Sequence, residues 1–328
     1  MINNLFLYSL IGFFILFLIS KISYKLNLID IPNKRKMHIK PTAYTGGVAL
    51  CFIYIFATFL FNFYDQKLDL ILSAAFLIGF VGFIDDKCNL NVGGKLSLQI
   101  IPIVYLILIE SFNLNQIGDY NYFKIELNSF SFPFTLLAIL FLINSFNYFD
   151  GLDGTLSFVI ISVISILLFL LPKENTQLFL IIVLIPILLF LCFNFSIFKL
   201  PGLFLGDSGS LLLGFIISFT LIHLENQNII HPILLAFSVS VFVYEFLSIN
   251  LIRLIGNKKL FSAGKDHLHH ILFKRNKSLL LTNFLISIIN IVFFIFGYLS
   301  FKFINPLASL ILFMSFFIIF FVLRQKLS

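Results

Sequence analysis

The sequence contains no tryptophan, only three cysteines and few charged residues, and each shortage excludes a class of protein. Charged residues make up 11% of the chain, hydrophobic residues 60%, and the mean hydropathy is +1.05. Since soluble domains carry roughly 25% charged residues, a water-soluble globular fold is excluded. Cys51, Cys88 and Cys192 lie far apart without CxxC or Cys/His spacing, so neither a disulfide framework nor a zinc site is expected. Without tryptophan, only tyrosine can form an aromatic belt at the membrane surface.

The sequence is rich in long apolar runs, to which 46 phenylalanines contribute. A helix that crosses a membrane needs about 20 mostly apolar residues. Eleven runs approach this length, near residues 4–22, 46–64, 69–84, 96–112, 132–148, 155–171, 178–195, 205–222, 232–252, 279–298 and 304–323. They predict an all-α polytopic membrane helix bundle of about 11 transmembrane helices in a single integral-membrane domain, 1–328. The first run has no basic residues before it and no cleavage site after it, so we expect a retained helix.

The basic residues predict how these helices are oriented in the membrane. If the N-terminus is outside, the outer segments hold only four of the 22 basic residues, namely Lys67, Lys124, Lys173 and Lys302. Because basic residues concentrate on the cytoplasmic side, the sequence predicts an inside C-terminus. The net charge of +7 then lies mainly on the inner face, where it attracts anionic lipids or phosphorylated substrates. Nucleic acid is not needed as a partner.

Two adjacent carboxylates, Asp85 and Asp86, stand at the inner end of the third run. Adjacent carboxylates repel each other unless a cation or a shared proton relieves them. A divalent metal ion or the proton of a substrate phosphate would do so. A solvated helix end is the alternative explanation.

The fifth run ends in NSFNYFDGLDG, residues 144–154. Its spacing of three places Asn144, Asn147 and Asp150 on one face of a helix. The glycines at 151 and 154 then allow the backbone to approach a ligand closely. A helix contact lined with amides is the alternative, but three polar groups in one apolar run favour a binding site.

Three further polar segments lie on the inner side. The stretch FLGDSGS at 204–210 opens a helix, where backbone N–H groups favour phosphate or metal, although a simple Asp/Ser cap remains open. In KDHLHH, residues 265–270, the imidazoles suit contact with a pyrophosphate, metal binding or proton transfer. The first inner loop carries a basic stretch that includes Lys36, followed by Gly46 and Gly47; attraction to lipid headgroups accounts for at least part of its charge.

Taken in order, DIPNKRKMHIKPT with GG, DDKCN, NSFNYFDGLDG, FLGDSGS and DHLHH resemble the motifs of the polyprenyl-phosphate N-acetylhexosamine-1-phosphate transferases, within glycosyltransferase family 4. The resemblance covers nearly the whole chain. It implies transfer of an N-acetylhexosamine 1-phosphate from a UDP-sugar to polyprenyl (undecaprenyl) phosphate, with release of UMP. It also implies an active site at the cytoplasmic face of the inner (plasma) membrane, where the product starts a cell-envelope glycan. A homodimer is compatible with the sequence but not required by it.

The resemblance also implies roles for particular residues. Asp207 would ligate Mg²⁺, with Mn²⁺ as an alternative, and Phe204 would stack on uracil. Of the paired acids, one would orient or deprotonate the lipid phosphate or act as nucleophile. The expected catalytic residues are Asp85, Asp86, Asp150 and His267, and the expected substrate-binding residues are Asn147, Asp153, Asn194, Phe204, His269, His270 and Lys36.

The chain departs from the family pattern in two places. Ala43-Tyr44-Thr45 stands where relatives carry Pro-Arg, and Glu245 stands where they often carry Asp. The histidine segment resembles the N-acetylglucosamine-type branch more than the muramoyl-pentapeptide branch, so we expect UDP-N-acetylglucosamine or a close relative as donor. Direct attack and a two-step route through an aspartyl phosphate both remain open.

Two other functions remain open from the residues alone. An ion-coupled transporter would also keep acids in membrane helices, but it would place them near the midplane within inverted repeats, and the sequence shows neither. An intramembrane aspartyl protease would use Asp150 and Asp207 without a nucleotide. UMP release that depends on a divalent metal ion and polyprenyl phosphate separates these possibilities.

Overall fold

The protein is described from a computed structural model, which covers residues 2–32, 40–61, 63, 65–171, 174–257, 264 and 266–327. These residues form thirteen α-helices and two short antiparallel strand pairs. The helices are α1 (Ile2–Lys25), α2 (Gly46–Leu60), α3 (Gln66–Cys88), α4 (Val92–Ile109), α5 (Ser131–Phe149), α6 (Thr155–Leu170), α7 (Glu174–Asn194), α8 (Gly206–Asn226), α9 (Pro232–Ser238), α10 (Ser240–Ile255), α11 (Leu268–Asn276), α12 (Leu279–Phe303) and α13 (Pro306–Leu327). The strands are β1 (Ile29–Asp30), β2 (Thr42–Ala43), β3 (Gln116–Asp119) and β4 (Lys124–Glu126).

Every predicted apolar run coincides with helix, which confirms the all-α polytopic membrane fold. Among the described residues, eight helices are long and apolar enough to cross a membrane, or nine if α9 and α10 form one bent span. Helices α2 and α6 are apolar but have only 15 and 16 residues. The count of eleven spans therefore stays a prediction. Large apolar side chains stay exposed along the outer helices, for instance Phe14 at 59% and Ile318 at 61%, as expected of surfaces that face lipid.

Contacts divide the chain into two compact units, and the expectation of a single domain stays a prediction. The first unit contains Met1–Leu106 and Lys173–Thr220. Within it α2 packs against α1, α3 and α7. The Tyr54 hydroxyl donates to the Val183 carbonyl at 2.9 Å, which joins α2 to α7. Helix α3 ends because Asn89 adopts a left-handed conformation with φ of 50°, and this fixes where the two acids beside it lie.

The second unit contains Ile107–Pro172 and Leu221–Ser328. Helix α12 is its centre and packs against α6, α9, α10, α11 and α13. Its Asn283 side chain donates to the Asp153 carbonyl at 2.8 Å and accepts from the Thr155 hydroxyl at 2.6 Å. These two bonds fix the turn between α5 and α6, which carries the second half of the NSFNYFDGLDG motif.

The ninth predicted run is broken into α9 and α10, which meet at an angle of 73°. A break inside an apolar region frees backbone groups that need new partners. The buried side chain of Asn290, on α12, supplies them: it donates to the Ser238 carbonyl at 2.9 Å and accepts from the Val241 N–H at 3.3 Å. The sequence did not predict this break because the polar residue that stabilises it lies about fifty positions away.

Candidate active site

Three charged side chains of the first unit meet at the ends of α3, α4 and α8. The Lys95 Nζ lies 2.7 Å from Asp85 Oδ2 and 2.5 Å from Asp207 Oδ2. Asp85 also accepts the Leu90 N–H at 2.8 Å through its other oxygen. Two carboxylates from separate helices thus converge on one cationic atom.

The second acid of the pair has a different position. Both carboxylate oxygens of Asp86 accept backbone N–H groups at the start of α8, from Asp207 at 2.9 Å and from Ser208 at 3.1 Å. A carboxylate at a helix N-terminus satisfies N–H groups that lack partners inside the helix and interacts favourably with the helix dipole. Asp86 therefore fixes the helix that presents Asp207, and the adjacent acids are directed to different tasks.

Glycines allow the backbone segments at this site to approach one another. Gly206, which starts α8, has φ of +72°, and a Cβ there would lie 2.7 Å from Asp86 Oδ2. A Cβ on Gly47 would lie 1.9 Å from the Gly209 backbone nitrogen, so α2 and α8 touch through main chain. Gly46 and Gly47 also donate their N–H groups to the carbonyls of residues 204 and 205, at 2.9 and 2.8 Å. The paired glycines hold the FLGDSGS segment in place.

The first inner loop packs against the same segment. The Phe204 N–H donates to the Ala43 carbonyl at 2.7 Å. Tyr44 follows, and partial burial together with the nearby Asp86 charge raises its pKa. Asn194, at the end of α7, donates to the Leu203 carbonyl at 3.0 Å. Asn194 therefore holds the segment that leads to Asp207, and Phe204 is half-buried beside it.

These residues fit Mg²⁺ or Mn²⁺ only as a partial ligand set. Within the described ranges, no group of three or more His, Cys, Asp or Glu side chains is arranged to hold a metal ion. Magnesium is usually bound by one or two carboxylates together with substrate phosphates and water. Asp85 and Asp207 supply two carboxylates that already converge on one positive charge, so the donor set fits a hard divalent cation whose remaining ligands come from substrate.

A second group of predicted residues lies in the second unit, where α5 ends and the histidine segment begins. Asp150 follows the last residue of α5, and its N–H donates to the Asn147 carbonyl at 3.3 Å. A Cβ on Gly151 would lie 2.2 Å from His269 Nε2 and 3.1 Å from His270 Nε2. The Asp-Gly turn and the histidines, 118 positions apart in the chain, therefore pack against each other, which only glycine permits.

Burial controls the charge of these histidines. Burial lowers the pKa of His267 to about 4, although the neighbouring Asp266 carboxylate opposes the shift. Burial and the charges of His270 and His267 lower the pKa of His269 well below its usual value. Neither ring nitrogen of His269 has a hydrogen-bond partner among the described residues. Both rings are therefore neutral near pH 7 and suited to hydrogen bonding rather than to charge pairing.

The structure brings the predicted residues together in two groups. The first unit holds Asp85, Asp86, Asn194, Phe204 and Asp207, and the second holds Asn147, Asp150, Asp153, His267, His269 and His270. Lys36 lies outside the described residues. Sequence reasoning missed Lys95, which it counted only as a topology signal. The available signal was a lysine beside two glycines at the start of an apolar run, ten positions after Asp85.

Comparison with known proteins agrees with this arrangement. The glycosyl transferase family 4 model matches residues 68–225, which include the acidic pair, Lys95 and Asp207. The chain is 26% identical over 266 residues to undecaprenyl-phosphate alpha-N-acetylglucosaminyl 1-phosphate transferase of Yersinia pestis, covering 79% of this chain and 73% of that protein.

The likeness extends to other bacterial relatives. The probable undecaprenyl-phosphate N-acetylglucosaminyl 1-phosphate transferase of Bacillus subtilis is 29% identical over 288 residues, covering 84% of this chain and 78% of the relative. The enzyme of Escherichia coli K12 that bears the same name as the Yersinia protein is 24% identical over 266 residues, covering 79% and 72%. The chain is thus a multi-pass membrane protein that belongs to glycosyl transferase family 4.

Proposed function

We propose that the protein transfers N-acetylhexosamine 1-phosphate from a UDP-sugar to polyprenyl phosphate and releases UMP. The observation that carries the proposal is the convergence of Asp85 and Asp207 on one cationic atom at the N-terminus of α8. This is where a diphosphate and its counter-ion need fixed charges, and the relatives are named for this reaction. The form of the histidine segment favours UDP-N-acetylglucosamine as donor.

The reaction exchanges one phosphorus–oxygen bond for another. An oxygen of the polyprenyl phosphate forms a bond to the sugar-bearing phosphorus of the UDP-sugar. The bond from that phosphorus to the bridging oxygen breaks, and the electron pair leaves with UMP. A direct attack and a route through an aspartyl phosphate both balance in this way.

The residues of the first unit are suited to the phosphate chemistry. We assign Asp85 to orienting or deprotonating the acceptor phosphate, because its Oδ2 already holds a cationic partner and its other oxygen is fixed by backbone. Lys95, at the start of α4, can move between carboxylates and a phosphate oxygen because lysine is a flexible point charge. Asp86 positions Asp207 by capping α8.

We assign Asp207, together with Asp85, to holding Mg²⁺ or Mn²⁺. When bound, the ion would offset the negative charge that develops on the departing UMP. Asp207 suits this task because its side chain is 33% exposed and can accept a ligand, while its backbone is fixed by Asp86.

We assign recognition of the donor to the second group, with Asn147, Asp150 and Asp153 on the turn after α5 and the histidines beside it. His267 and His269 are neutral near pH 7, so each can donate one hydrogen bond to a phosphate oxygen. We also propose that the site faces the cytoplasm at the inner membrane, from the distribution of basic residues, and that the lipid product starts a cell-envelope glycan.

The test is UMP release by the purified protein in lipid nanodiscs. We expect release only when UDP-N-acetylglucosamine, polyprenyl phosphate and a divalent cation are all present, with equal formation of a lipid diphosphate sugar. EDTA should abolish it, and polyprenol without phosphate should not replace the acceptor. Release without the lipid, or none under any of these conditions, would contradict the proposal.

A further inference from the structure

A buried ion pair in the second unit has no task in the reaction as described so far. Arg324, near the end of α13, donates from Nε to Glu245 Oε2 at 3.0 Å and from Nη2 to Oε1 at 3.3 Å. Glu245 lies on α10, and the two side chains are only 1% and 2% exposed. This two-point contact between a guanidinium and a carboxylate has the geometry of the stronger, charge-assisted hydrogen bonds.

The same two side chains also hold the backbone on both sides of His267. The Leu268 N–H donates to Glu245 Oε1 at 2.8 Å, and Arg324 Nη2 donates to the carbonyl of Asp266. One anchor thus precedes the histidine and one follows it.

A second arginine fixes the same segment from another direction. Arg253, on α10, donates from Nε and Nη2 to the carboxylate of Asp266 at 3.2 and 2.9 Å. These two hydrogen bonds outweigh the opposing effect of burial and lower the pKa of Asp266. The start of the histidine segment is therefore held through both its main chain and a side chain.

Stability alone is a weak explanation for such a pair. Replacing a buried ion pair by apolar side chains of similar volume is often neutral or stabilising, because the charges must be removed from water. Apolar contacts already join the same three elements, since Tyr244 of α10, Leu268 of α11 and Phe320 of α13 pack together. What apolar contacts cannot supply is a fixed direction for the two backbone groups that flank His267.

We propose that Glu245 and Arg324 are positioning residues, which act through the backbone of residues 266 and 268 to hold His267 and His269 in the geometry that binds the UDP-sugar. The inference rests on the proposed function. It assigns the last helix of the chain a part in donor recognition, although that helix carries none of the motif residues. Small misplacements of binding groups have large effects on rate, so the anchors matter for the donor rather than for the lipid acceptor.

The test is the double variant Glu245→Met/Arg324→Met in the full chain. It removes both anchors and leaves no unpaired buried charge, so the protein should fold. We expect KM for the UDP-sugar to rise at least tenfold, while KM for polyprenyl phosphate changes less than twofold. Deuterium exchange of a peptide that covers residues 266–272 should accelerate. Arg324→Lys keeps the ion pair but lacks the planar fork that reaches two partners, so it should be intermediate.

Asn290→Leu is the matched control for general damage to the same unit. Asn290 is fully buried and bonds to residues at the break between α9 and α10 rather than to the histidine segment. The control should lower the unfolding temperature without raising KM for the UDP-sugar.

The outcomes separate this inference from the proposed function. An unchanged KM for the UDP-sugar with unchanged exchange of residues 266–272 in the double variant would overturn it. So would an equal loss with both substrates, or the same loss in Asn290→Leu, because each indicates a purely structural role. If the wild-type protein releases no UMP, the proposed function fails, and unchanged exchange in the double variant would still refute the anchoring itself.

Discussion

Replacement of Asp207 by asparagine removes one negative charge at the first turn of α8 with little change in shape. The lost contact is the 2.5 Å pair with Lys95, whose ammonium keeps Asp85 as a partner at 2.7 Å. No buried charge is left unpaired, so the cost falls between that of an exposed pair, up to about 1 kcal/mol, and that of breaking a buried one, about 3–5 kcal/mol. Because the Asp207 side chain is one-third exposed, we expect about 1–2 kcal/mol and a fall in unfolding temperature of a few degrees.

The effect of Asp207→Asn on turnover should be far larger than its effect on stability. If Asp207 helps to hold the divalent cation, its loss removes several kcal/mol of stabilisation of the leaving UMP. Since each 1.36 kcal/mol is a factor of ten in rate, a loss of about 4 kcal/mol lowers the rate about a thousandfold. The assay is UMP release at several Mg²⁺ concentrations, with thermal unfolding of the same preparation.

Asp119→Asn is the control for removal of a carboxylate elsewhere. Asp119 is exposed on β3, where its Oδ1 accepts the Asn121 N–H at 3.1 Å, and its loss should change turnover less than twofold. Near wild-type turnover of Asp207→Asn, with an unchanged Mg²⁺ optimum, would refute the metal assignment and leave Asp207 as part of a helix start only.

Three further predictions follow from the geometry. Asp86→Asn keeps one of two acceptor oxygens at the start of α8, so thermal unfolding should show a loss of about 1–2 kcal/mol; an unchanged unfolding temperature would argue against the cap. Gly47→Ala places a Cβ 1.9 Å from the backbone of α8 and should prevent normal folding, as judged by yield of monodisperse protein, whereas Gly93→Ala, whose Cβ meets no atom nearer than 3.6 Å, should be tolerated. Between pH 6.5 and about 4 the unfolded chain binds a proton at His267 that the folded chain does not, so the free energy of unfolding should fall by up to about 3 kcal/mol across that window. His267→Asn should flatten this part of the stability profile in thermal unfolding, and an unchanged slope would contradict the burial of a neutral ring.

Helices were predictable because apolar runs in a membrane protein leave the backbone few alternatives to helix. The start of α8 was equally readable, since Gly206-Asp207-Ser208 has the composition of a helix N-terminus. What the sequence could not indicate was the identity of the capping group. The cap of α8 comes from Asp86, more than 120 positions earlier, and no local pattern encodes such a partner.

The candidate site was predictable where its residues form compact motifs and not where they stand alone. Asp85, Asp150 and the histidines were found because each lies in a short polar segment of an apolar chain. Lys95 was missed because a single lysine at a membrane surface is ordinarily a topology signal. Arg324 was missed for the same reason, since its partner Glu245 can be recognised only after α10 and α13 have packed.

The account depends most on the claim that the sugar moves together with its phosphate. Incubation with UDP-N-acetylglucosamine that carries ³²P in the phosphate next to the sugar tests this claim directly. We predict that the label moves into the lipid fraction in the presence of polyprenyl phosphate and a divalent cation, with one UMP formed for each labelled lipid. Label that stays in water-soluble UDP while sugar enters the lipid, or label that enters no lipid at all, would contradict it.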